Sequence, residues 1–167
     1  MKKPILIGCG TLLGVFVILV VAGTIWLFSG PEGGVRLPND MEEYALQYLD
    51  EHKILEDSEE LLAYYDVTMS SDGSEAAILT TKRVIYHKNG RNDSIDIADI
   101  ENIRHRQEAL TGDIIEIAAA SGKTIKIEIA PFNQGETFKN VLMDAWERAK
   151  KKKREQKPYI ENSTASR

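Results

Sequence analysis

A chain of 167 residues with a net charge of −5 and a single cysteine excludes several classes at the outset. One cysteine cannot build an internal disulfide framework, and an acidic balance lacks the electrostatic footprint of a nucleic-acid binder. With its uncharged N-terminal stretch set aside, the remaining length suits one small domain with its own core.

Residues 4–28 carry no charged side chain. As a helix rising about 1.5 Å per residue, they cross a hydrocarbon core of roughly 30 Å with some tilt. A cleavable signal reads less well, because its apolar region is shorter and Val21-Ala22-Gly23-Thr24 is a poor small-residue cleavage site. Leu6-Ile7-Gly8-Cys9 spells a lipoprotein-like acylation pattern, but it comes before the long apolar run rather than after it. Lys2, Lys3 and the amino terminus outweigh Arg36 set against Glu32 and Asp40, so the N-terminus is expected inside and the remainder outside the cytoplasm. Gly10 and Gly14 form a small-xxx-small pair through which two such helices can approach, giving a candidate homodimer contact.

Residues 29–39 concentrate Gly and Pro and read as a linker. Asp40 is the expected cap of an amphipathic helix over 40–55, whose Met41, Tyr44, Ala45, Tyr48, Leu49 and His52 recur at helical spacing. From Leu61 to Ala130 the period turns to alternation, punctuated by Asp72-Gly73, Asn89-Gly90, Thr111-Gly112 and Ser121-Gly122. This predicts an antiparallel meander of about seven short strands, near 62–69, 75–81, 83–88, 93–98, 100–109, 113–119 and 123–130. Asn133 and Glu136 have the spacing of a capping box opening a last helix. Its Phe138, Val141, Leu142, Ala145, Trp146 and Ala149 make one apolar stripe, expected to plug one end of the sheets. Residues 155–167 read as a polar tail.

Seven antiparallel strands followed by a Trp-bearing helix resemble the pleckstrin-homology (PH) superfold. Three segments are similar to its bacterial PH-like and GRAM-like branch: Ser58-Glu59-Glu60-Leu61-Leu62, Ile78-Leu79-Thr80-Thr81-Lys82-Arg83-Val84-Ile85-Tyr86, and Ile95-Asp96-Ile97-Ala98-Asp99-Ile100-Glu101-Asn102-Ile103. The resemblance implies an α+β, mainly β domain over 58–154, a seven-stranded, partly open barrel closed by a C-terminal helix. It also implies a binding or scaffolding module rather than an enzyme, and the apolar stretch 4–28 is expected to hold that module in a bacterial cytoplasmic (inner) membrane. Phosphoinositide-binding members place basic residues in the first hairpin; Ser70-Ser71-Asp72-Gly73-Ser74-Glu75 has two acids and no base.

His52, His87 and His105 have no metal-ligand spacing, and no nucleophile elbow or glycine-rich phosphate loop is present, so no metal, cofactor or catalytic residue is expected. Cations cluster in two places: Arg104 and Arg106 with the Lys82-Arg83 corner, and the run Lys150, Lys151, Lys152, Lys153, Arg154. Both are candidate anion or lipid-headgroup contacts. For the first, Glu108 on the same strand face favours cross-strand ion pairing; for the second, a solvated helix end is the plainer reading. The expected function is a membrane-tethered module that recruits an unidentified protein partner, at a sheet edge or in the groove beside the closing helix. The competitors are an anionic-surface binder acting through the basic run and, more remotely, an enzyme with a site dispersed over the strands.

Overall fold

The computed structural model describes residues 19–20, 34–68 and 70–164. The chain divides into two compact units, Met1–Glu32 and Gly33–Arg167. In the first, Leu19 and Val20 are helical and exposed. The expected spanning segment, Cys9 and the Gly10/Gly14 pair otherwise lie outside the described residues, among which no helix is long and apolar enough to cross a membrane.

The second unit begins with a 3-10 turn, Pro38–Asp40, and helix α1, Glu43–Glu51. Strands β1 (Leu61–Asp66), β2 (Glu75–Thr80), β3 (Arg83–Lys88) and β4 (Arg91–Asp96) follow. A 3-10 turn, Ile97–Asp99, leads to β5 (Ile100–Glu108), β6 (Gly112–Ala119), β7 (Thr124–Ile129) and helix α2 (Gly135–Thr164). All seven strands fall within a few residues of their expected places.

They do not close into a barrel. The strands form two antiparallel sheets, β1-β2-β3-β4 and β5-β6-β7. The break comes where the Ile97–Asp99 turn interrupts the ladder, burying Ile97 and Ile100 while the chain passes from one sheet to the other. Strand β4, whose Arg91, Asn92 and Asp93 face solvent, approaches β7 through a Lys123–Asp93 ion pair.

Burial explains the two kinds of strand. On the first sheet Ala63, Tyr65, Ala77, Leu79 and Val84 face the main core. The alternate residues Tyr64, Ala76, Ile78 and Ile85 are covered by Ala45, Leu49 and Ile54 of the α1 segment. Both faces of β2 are therefore buried, and it reads as an apolar run. Strand β7 has one face in water and alternates strictly, with Ile125, Ile127 and Ile129 inside. The α2 stripe closes the main core with Phe138, Leu142, Ala145 and Trp146, and full burial of a side chain such as Phe138 contributes roughly 1.5–3 kcal/mol.

Four local expectations need correcting. Glu42, not Asp40, stands before α1 and makes no side-chain cap, because Pro38 draws Asp40 into its own turn. The end of the linker is tied down: Arg36 pairs with Tyr64 on β1 through backbone bonds of 2.7 and 2.9 Å, and Val35 N donates to Asn133 O at 3.0 Å. Asn133 and Glu136 form no capping box, since Asn133 Nδ2 donates to the Tyr65 hydroxyl at 3.3 Å and Glu136 pairs with Lys139. Helix α2 also runs on to Thr164, past the Arg154 boundary expected from composition.

Candidate functional site

A groove of about 900 Å³ lies between the β2–β3 corner, the Ile97–Asp99 turn and the later part of α2. Leu62, Ile97, Ala145 and Ala149 contribute its apolar lining. Thr81, Ser94, Asp96 and Asp99 add polar groups, and Lys82, Arg148, Lys152 and Lys153 bring positive charge. The segment before β1 supplies Glu56 and Glu59.

Arg83 organises this corner. Its Nε donates to Glu59 Oε1 at 2.7 Å, and its Nη2 donates to Glu59 Oε2 at 3.0 Å and to Ile54 O at 3.2 Å. Burial pushes the Glu59 carboxyl up, but the hydrogen bonds from Arg83 and the Glu56 amide, with the charges of Arg83 and Lys82, outweigh it and leave it below the usual carboxylate range. Thr80 Oγ1 accepts from the amides of Lys82 and Arg83 at 3.1 and 3.0 Å, fixing the tight turn at Thr81-Lys82. Lys82 Nζ donates to Ser58 Oγ. Arg83 is thus committed to the framework, and Lys82 stands at the rim.

Helical geometry divides the basic run that the sequence presents as one block. Lys152 and Lys153 line the groove with Lys82 and Arg83, and Lys153 Nζ reaches Ala98 O at 3.3 Å. Lys150, Lys151 and Arg154 instead share a shallow outer depression with Arg148, Asp144 and Glu147. Lys150 Nζ sits 3.2 Å from the centroid of the Trp146 ring. Arg104 and Arg106 join neither group: Arg106 pairs with Glu116 at 2.6 Å and Glu108 at 3.0 Å, and Arg104 lies 3.6 Å from Glu116. They form the cross-strand ion network that Glu108 favours.

The acidic first hairpin is locked rather than open. Asp66 accepts from Thr68 N at 2.8 Å and Gly73 N at 2.9 Å, with the Tyr44 and Tyr64 hydroxyls at 3.2 and 3.4 Å. Burial, followed by the Asp66 charge, pushes the Tyr44 phenol up to about 12. Asp72 is held down at about 2 by hydrogen bonds from Ser74 and Ser70.

Two clusters escaped the sequence reading. Buried His87 takes Tyr48 OH at Nε2 (3.1 Å) and Asn92 Oδ1 at Nδ1 (2.6 Å), tying α1 to the outer face of the first sheet. His105 lies between two carboxylates, with Nε2 2.7 Å from Asp113 Oδ1 and Nδ1 3.7 Å from Glu136 Oε1. Among the described residues this is the one gathering of metal-ligating types. Its two ring nitrogens address different carboxylates, joining β5, β6 and α2, and one ligand atom from each of the three residues lies within 4.8 Å of the others. Hairpin register was the available signal, since His105 is diagonal to Asp113 across the β5–β6 ladder.

No family model and no curated protein matches this chain. Among solved structures, it is similar to the crystal structure of a DUF1696 family protein with a pleckstrin-homology domain from Shewanella loihica PV-4. The two are 13% identical with a TM-score of 0.50, covering 69% of this chain and 97% of that one. The fold is PH-like. The likeness extends to the fold alone, and the PH-like domain's groove and ion pairs are described from its own residues.

Proposed function

We propose that the chain is a single-pass protein of a bacterial cytoplasmic membrane, anchored by residues 4–28, whose PH-like domain lies outside the cytoplasm and recruits or organises a protein partner. The observation that carries this reading is the groove beside α2. Its lining of Leu62, Ile97, Ala145 and Ala149, bordered by Lys82, Lys152 and Lys153, suits a peptide segment with apolar anchors and an acidic side chain. Pairing of anchors through Gly10 and Gly14 would present two such grooves together.

A second reading, contact with anionic headgroups, is favoured by the exposed face bearing Arg148, Lys150, Lys151 and Arg154. Sedimentation of a fragment beginning at Gly30 with vesicles separates the two. Groove-mediated recruitment predicts no salt-sensitive binding to anionic vesicles, together with a membrane partner that co-purifies with the full chain and is lost on Ala149→Arg. Salt-sensitive vesicle binding abolished by neutralising Lys150, Lys151 and Arg154 would displace it in favour of the headgroup reading.

A further inference from the structure

The PH-like domain leaves two large apolar side chains in solvent at one end. Leu110, in the β5–β6 turn, is 94% exposed, and Phe132, in the β7–α2 connection, is 89% exposed. Their loops adjoin: a Cβ on Gly112 would lie 2.2 Å from Ile129 O and 2.6 Å from Pro131 N, so the two backbones touch within three residues of each side chain. Phe132 holds φ +70, a left-handed conformation that non-glycine residues rarely adopt, at the residue whose ring is turned to water.

The first described residues of this unit lie at the same end. Val35 N donates to the carbonyl of Asn133, the residue after Phe132. Only residues 29–33 separate the apolar stretch 4–28 from Gly34.

Resting on the anchored reading above, we propose that Leu110 and Phe132 are a second membrane contact, two loop tips that enter the interfacial layer of the bilayer holding the anchor. An exposed aromatic ring beside an aliphatic side chain suits that layer. Nearby charges are paired, Arg106 with Glu108 and Glu136 with Lys139, so the contact is apolar in character and independent of headgroup charge. This distinguishes it from binding through the basic run, which requires anionic lipid.

The test uses the full chain in a Cys9→Ser background, with Leu110→Cys, Phe132→Cys or Ser121→Cys carrying an environment-sensitive fluorophore. Ser121 lies past the far end of β6, whose 8 residues at about 3.4 Å each span roughly 27 Å. Each chain is reconstituted in phosphatidylcholine vesicles containing nitroxide-labelled lipid. The expected result is a blue shift and at least about twofold stronger quenching at 110 and 132 than at 121, unchanged by salt or added anionic lipid. Phe132→Asp should lower the quenching at 110. A chain that resists alkaline extraction but is quenched no more at 110 and 132 than at 121 overturns this inference alone. A blue shift without quenching means that protein covers the tips, and overturns it too. Release of the chain by alkaline washing overturns the anchor, and the inference with it.

Discussion

Arg83 grips Glu59 at two points, Nε to Oε1 at 2.7 Å and Nη2 to Oε2 at 3.0 Å, around a carboxylate side chain only 1% exposed. Removing one partner of a buried pair leaves the other charge uncompensated, a loss of about 3–5 kcal/mol. Arg83→Ala should therefore destabilise a fragment beginning at Gly30 by about 3 kcal/mol, the lower end because Arg83 is partly solvated. Arg83→Lys, which keeps the charge but loses the fork, should recover part of it. Urea titration followed by circular dichroism checks this, and equal midpoints for Arg83→Ala and the parent would contradict it.

The same pair sets an acid limit. Because the Glu59 carboxyl titrates lower folded than unfolded, its contribution is fully present above the unfolded value. It is lost as pH falls through the unfolded and then the folded value. Glu75, lowered chiefly by its hydrogen bond from Tyr86, acts in the same direction. Urea midpoints measured from pH 7 to pH 3 should fall, and the fall should be shallower in Arg83→Met.

Trp146 closes the core and donates Nε1 to Ile100 O at 2.9 Å, at the corner where the chain changes sheets. Trp146→Phe keeps most of the ring packing but leaves that carbonyl without its partner. The expected loss is about 1–3 kcal/mol, read from the thermal midpoint by circular dichroism.

On the opposite side of the first sheet, Tyr48→Phe removes the hydroxyl paired with buried His87 Nε2. The unsatisfied ring nitrogen should cost about 1–3 kcal/mol. Amide exchange should accelerate first in α1, since this bond joins the helix to the sheet. Unchanged protection there would show that the docking is apolar alone, through Ala45 and Leu49.

The strands were legible because alternation and turn dipeptides act locally: Ile125, Ile127 and Ile129 mark β7 without any tertiary information. The apolar stripe from Phe138 to Trp146 was legible for the same reason. What stayed hidden depended on pairs distant in sequence. Asn133 turns to Tyr65, and His105 meets Asp113 only once the β5–β6 register is set. The basic run is the instructive case for the groove. Composition presents five equivalent cations, and the helix separates Lys152 and Lys153 from Lys150, Lys151 and Arg154.

The groove beside α2 is the proposed binding place of a partner. The direct measurement is photo-crosslinking in native membranes from a benzophenone amino acid at Ala149, inside the groove, and at Arg91, on the exposed end of β4. Partner binding in the groove predicts a discrete adduct from position 149, absent from position 91 and abolished by Lys152→Glu with Lys153→Glu. No adduct from 149, or the same adducts from both positions, would contradict it.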